Sequence, residues 1–203
     1  MSRPHVDPEV LAALEGAWLS RWPSARPIGS ELRTAIPEAW VRFHSLPDSK
    51  RYPETDAERA EVLSRHMTIL TELGAAADAG VVLVTTLAWS DSQEPVERDA
   101  ALQSAFPAAQ YWQSVLFDAS EADQPVWAHL YLGSTYVGAP ELRALLLLVS
   151  DDRAHDCVIF PPSVEWLYHP YDGGGDLIAP DQVTRESLRR RHHTWLSGHP
   201  AGL

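Results

Sequence analysis

The stretch from Trp40 to Tyr52 gathers side chains suited to holding an anion. With the two-residue alternation of a strand, Trp40, Arg42 and His44 fall on one face and Val41, Phe43 and Ser45 on the other. Beyond Leu46-Pro47 the chain turns polar, and Ser49, Lys50, Arg51 and Tyr52 follow before Pro53 closes the segment. A guanidinium offers forked donors to phosphate or carboxylate, and Lys50, the only lysine of the chain, adds a point charge. A helix predicted to start just after this loop would bring its N–H groups and partial positive charge to the same place. The plainer reading is that Arg42 and Arg51 pair with the chain's own carboxylates, such as Asp48 and Glu54, and that His44 is a satisfied structural histidine.

A second group lies between Tyr168 and Asp176, read as a loop with three consecutive glycines. Glycines let backbone approach a ligand closely, and His169, Asp172 and Asp176 carry general-base or metal-ligand chemistry. The pattern fits neither a calcium loop, for want of alternating oxygen ligands and a terminal glutamate, nor a Walker loop, for want of Lys-Ser/Thr. A glycine turn between two strands, with the aspartates as turn residues, is the simpler reading. A third group, Arg189-Arg190-Arg191-His192-His193, points all round a helix and forms no single basic face. His192, His193 and His199 lack the i, i+4 spacing of a helical zinc pair, so no metal is expected. The chain has no Gly-x-Ser-x-Gly, Gly-x-Gly-x-x-Gly, His-Glu-x-x-His or Cys-x-x-Cys motif, and no cofactor is expected.

The elements that must position these groups follow from periodicity. Helices are predicted over Pro8–Ser20, with Asp7 as cap and Leu14 and Trp18 inward, and over Asp56–Leu73, opened by the capping box Thr55/Glu58. Residues 23–37 read as an irregular approach to the strand Ala39–Leu46. The β-branched run Val81–Trp89 is predicted as the central strand, followed by a weak helical turn near Glu97–Ala105 and a hairpin of Tyr111–Phe117 with Val126–Leu132. A third helix begins at Pro140, strands cover His155–Phe160 and Val164–His169, and a last helix is capped by Thr184, stapled by Val183 and Leu188, and stopped by Gly198 and Pro200. This order predicts one α+β domain over residues 1–203, with a mixed or mainly antiparallel sheet and about four packed helices, including terminal ones. Most of the tryptophans fall inside these elements as core, while Trp40 and Trp89 sit at strand ends where a ring could line a pocket.

Composition limits the partners. With 28 acidic against 16 basic side chains, net charge −12, the surface repels nucleic acid. No apolar run is long enough to span a bilayer and the N-terminus carries no signal-like segment, so no membrane association and a cytoplasmic location are expected. The single cysteine, Cys157, lies in the apolar run Cys157–Phe160 and is expected to be a buried structural thiol. Nothing in the sequence sets the oligomeric state.

The strings Trp40–Tyr52, Leu167–Gly174 and Trp195–Pro200 resemble a family of uncharacterised bacterial single-domain proteins over most of the chain, a resemblance that implies no mechanism. The leading expectation is a non-catalytic cytoplasmic bacterial accessory or binding protein, immunity-like, contacting a protein partner or an anionic small molecule. The alternative is an enzyme acting on a phosphate-bearing or other anionic substrate. Its clamp would be Arg42, Lys50 and Arg51, its acid/base His44 or His169, and its orienting carboxylate Asp172. The two differ over whether the segments around His44 and His169 meet in one pocket.

Overall fold

The computed structural model describes residues 8–74, 80–118, 120 and 124–198. Asp7, His199, Pro200 and part of the acidic turn after Asp118 lie outside them. Seven strands form one sheet: β1 (Trp40–His44), β2 (Val81–Ser90), β3 (Gln110–Asp118), β4 (Val126–Tyr136), β5 (Val158–Phe160), β6 (Leu167–Tyr171) and β7 (Gly174–Ile178). Their order is β1-β7-β6-β5-β2-β4-β3, and every pairing is antiparallel. The helices are α1 (Pro8–Arg21), α2 (Gly29–Ala35), α3 (Asp56–Gly74), α4 (Ala100–Ala105), α5 (Pro140–Ser150) and α6 (Gln182–Arg191). The α+β class with an antiparallel sheet is as expected, and the two short helices α2 and α4 bring the count above the four long ones.

The strand alternation sorts side chains into two cores. On one face Leu83, Val158, Phe160, Leu167 and Ile178 pack with Leu14, Trp18 and Trp22 of the α1 region and with Leu32 of α2. On the other, Val41, Phe43, Val84, Ile159, Tyr168 and Leu177 pack with Ile69, Leu70 and Leu73 of α3, the Leu142, Leu145, Leu146 and Val149 stripe of α5, and Leu188 of α6. Helices thus cover both faces of an antiparallel sheet, which accounts for the unbroken apolar run of β2. No helix of the described residues is long and apolar enough to cross a membrane.

Five local expectations are corrected. The loop assigned to Tyr168–Asp176 is a tight hairpin: β6 runs through Tyr171 and β7 starts at Gly174, so the glycines belong mostly to a strand. They are needed there, because a Cβ on Gly174 would lie 2.2 Å from the Phe43 carbonyl oxygen of β1. The strand predicted from Val164 begins only at Leu167. Val164 adopts φ 55, a left-handed conformation foreign to strands, and is pinned there by Trp22 Nε1–H donating to its carbonyl at 2.8 Å. The last helix is capped by Asp181, which accepts from the Thr184 N–H at 2.7 Å, rather than by Thr184 itself. Val183 is 80% exposed and staples nothing, and the helix ends at Arg191, followed by a 3-10 turn.

Candidate functional site

Register builds the site. Arg42 of β1, Asp176 of β7 and His169 of β6 lie directly opposite one another across three strands, and His44, Gly174 and Tyr171 form the next row. Opposed residues of an antiparallel pair share a face, so Arg42, His44, His169, Tyr171 and Asp176 stand together on the α1/α2 side. Tyr168 does not join them. It points to the opposite face, fully buried, with its hydroxyl 2.6 Å from Nδ1 of His66 on α3.

The cations gathered here are all engaged by carboxylates of the same chain. Arg42 donates from Nε and Nη2 to the two oxygens of Asp176 at 2.8 and 2.9 Å, a bidentate pair whose side chains are 17% and 6% exposed. The guanidinium stacks between Trp40 and Tyr171, 5.4 and 4.9 Å from their ring centroids. Burial opposes its charge, but the Asp176 hydrogen bonds and charge outweigh that and hold Arg42 above its ordinary pKa. Arg51 donates to Asp172 at 2.6 Å, tying the loop after β1 to the hairpin tip. Lys50 donates to Glu54 at 3.0 Å and to Glu58 at 2.7 Å.

Glu58 also fills the place where an anion was expected at the start of α3. Its carboxylate accepts from the N–H groups of Glu54 and Thr55 at 2.7 and 3.2 Å, while Thr55 Oγ1 accepts from the Glu58 N–H at 3.2 Å. This is the predicted capping box closed in both directions, and with Lys50 it holds the Glu58 carboxyl down at about 2. The anion at the helix start is therefore the chain's own side chain. Asp48 and Ser49 both adopt left-handed conformations in the exposed turn Pro47–Ser49, φ 56 and 57. Tyr52 is exposed and bonded to Asp172, which pushes its hydroxyl above the ordinary tyrosine range.

The two histidines of the enzyme expectation share a face but differ in state. His169 donates from Nδ1 to the Cys157 carbonyl at 2.9 Å, which fixes the tautomer, and its ring rests on Gly29 at the start of α2. A Cβ at position 29 would lie 2.1 Å from that ring nitrogen. His44 is pushed below the ordinary histidine pKa, first by burial and then by the Arg42 charge, and its Nε2 is buried without a hydrogen-bond partner. Among the described residues no group of three His, Cys, Asp or Glu side chains is gathered to hold a metal. Cys157 is buried and its thiol is pushed up to about 12, an inert structural thiol as expected.

One chemically suggestive cluster escaped the sequence reading. On the other sheet face, fully buried His129 has Ser90 Oγ 2.8 Å from Nε2 and Ser114 Oγ 2.8 Å from Nδ1, with the Tyr111 hydroxyl 2.9 Å from Ser114. A serine, a histidine and an orienting hydroxyl are the parts of a nucleophile site. The proton directions argue otherwise. Ser90 Oγ donates to the Ser92 carbonyl at 2.9 Å, so its one proton is used, and His129 Nε2–H must donate to Ser90 rather than deprotonate it. The chain then runs one way, from Tyr111 through Ser114 and His129 to Ser90 and Ser92, with every member satisfied. No spacing signals this cluster, because Ser114 meets His129 only through the β3–β4 register.

The profile of a Domain of unknown function (DUF3885) matches residues 28–200. The chain belongs to that family. In this DUF3885 member the matched span takes in every residue of the β1–β7–β6 cluster and leaves α1 outside. No curated protein and no solved structure gives a match.

Proposed function

We propose that this DUF3885 member is a non-catalytic accessory or binding protein of the bacterial cytoplasm, immunity-like in kind, whose acidic surface docks a basic protein partner. The observation that supports this most is the internal engagement of Arg42, Lys50 and Arg51 by Asp176, Glu54, Glu58 and Asp172. A clamp already neutralised by its own carboxylates attracts no anionic ligand, whereas 28 acidic against 16 basic groups leave an excess that attracts a cationic surface. In-cell cross-linking in the source organism, followed by reconstitution with the captured partner, tests the reading. The association rate is expected to fall about tenfold or more between roughly 50 and 300 mM salt. A rate indifferent to salt overturns it.

A second reading, an enzyme acting on a phosphate-bearing or other anionic substrate, draws on the unpartnered Nε2 of His44, which shares a sheet face with Arg42 and His169. It requires Asp176 to be displaced from Arg42 by the substrate. A thermal-shift panel of nucleotides and sugar phosphates decides it: a ligand at one hundred times its Kd stabilises by about 2.7 kcal/mol, and silence removes the reading.

A further inference from the structure

Between α1 and β3 lies a cleft of about 190 Å³, lined by Trp18, Leu19, Trp112 and Val115, with Glu15 and Gln113 also among its lining residues. We infer that this cleft is the anchor pocket for an arginine or lysine side chain of the basic partner; the inference rests on the function proposed above and gives it a place on the surface.

The residues argue for a cation on an aliphatic stem. Trp18 is fixed and only 3% exposed, its indole N–H donating to the Ala25 carbonyl at 2.7 Å and its ring edge-on to Phe160, so it backs the cleft rigidly while Trp112 and Leu19 supply the accessible apolar surface. Trp112 is half-buried between the two cores on this face, and Leu19 is 58% exposed. Aromatic rings attract a cation at their faces and shed water from its methylenes. Glu15 has no side-chain partner among the described residues, unlike the carboxylates of the β1–β7–β6 cluster, each of which already holds a cation. Arg26 also lines the cleft, but its guanidinium is held by Glu31 and by the Leu116 and Phe117 carbonyls, so its charge is locally compensated. The balance of Glu15, Glu31 and Arg26 leaves one negative charge at the cleft. The volume suits one long side chain rather than a helix.

Capped amino acids on the full chain test this. Titration with N-acetyl-arginine amide, its neutral isostere N-acetyl-citrulline amide and N-acetyl-norleucine amide is followed through the Trp112 indole N–H resonance, assigned with Trp112→Phe. Saturable binding of the arginine probe, on the order of millimolar, is expected, with citrulline and norleucine at least about fivefold weaker. Glu15 is exposed, so Glu15→Gln is expected to keep the melting temperature and to remove the preference for arginine over citrulline. Equal binding of all three probes overturns the cationic anchor, as does an unmoved Trp112 resonance or a preference that survives Glu15→Gln. If the cleft is silent while the captured partner still associates in a salt-dependent way, only the anchor falls; if the association is salt-indifferent as well, the acidic docking reading falls with it.

Discussion

At the level of single residues, buried polar groups decide where this chain is sensitive. His66 is fully buried on α3, and burial pushes its pKa down to about 4. A folded-state pKa below the unfolded value of about 6.5 means the unfolded chain binds the proton first, so this contribution is complete above pH 6.5 and is lost as pH falls towards 4. The difference corresponds to roughly 3 kcal/mol, and His66→Gln, which keeps a donor and acceptor but does not titrate, is expected to flatten urea-derived stability across that window. A variant with the wild-type slope would assign the slope elsewhere. Glu58 has its own window: its depressed pKa of about 2 places its loss below pH 4.5. Asp176→Asn removes one partner of the buried pair and leaves the Arg42 cation uncompensated. The expected cost is about 3 kcal/mol, and the double variant Arg42→Met with Asp176→Asn should recover part of it, since desolvating a lone charge is what costs most. Sequence alone marked Arg42, His44, Lys50 and Arg51 as unusual. It could not name Asp176 and Asp172 as partners, because the first is set by the β1–β7 register and the second by the hairpin tip meeting the loop after β1, contacts 134 and 121 residues apart in the chain.

At the level of elements, whatever has a long period was legible and whatever rests on close approach was not. The stripe of α5 announces itself because burying one face imposes a repeat, the apolar run of β2 because both its faces are covered, and the α3 capping box because its two side chains stand at a fixed spacing. The β6–β7 hairpin was hidden because its glycines look like a loop, while their reason is steric. Gly174 abuts the β1 backbone, and Gly175 makes room for Tyr168, whose hydroxyl would lie 2.1 Å from an added Cβ. The α2 helix was hidden for a related reason: it is seven residues long, and Gly29 is required by the His169 ring rather than by any helical pattern. These contacts separate two substitutions. Gly174→Ala meets backbone that cannot yield without breaking the β1–β7 ladder, and is expected to cost about 3 kcal/mol or more in chemical denaturation. Gly29→Ala meets a side chain, so it should cost less overall but break the His169 bond to the Cys157 carbonyl, read by NMR as loss of the single Nδ1–H tautomer in the His169 ring nitrogen shifts. The opposite ranking would show that β1 shifts more freely than its register implies.

Over the whole molecule, the excess of negative charge sets two opposing responses to salt. The ion pairs at the surface, such as Arg59 with Asp151 and Arg191 with Glu72, are exposed enough that each contributes little. Self-repulsion among the surplus carboxylates, net charge −12, is spread over the surface and carries no compensating contact. Screening therefore removes more repulsion than attraction from the free protein, and raising salt from roughly 10 to 150 mM is expected to raise its melting temperature by about 2–4 °C. For a complex with a basic partner the sign reverses, because the charge that strains the free chain is the charge that draws the partner in. The same titration should thus stabilise the isolated protein and slow its association. A melting temperature that falls with salt would mean that the internal ion pairs outweigh the surplus, and the acidic surface would then lose its standing as the driving force for docking.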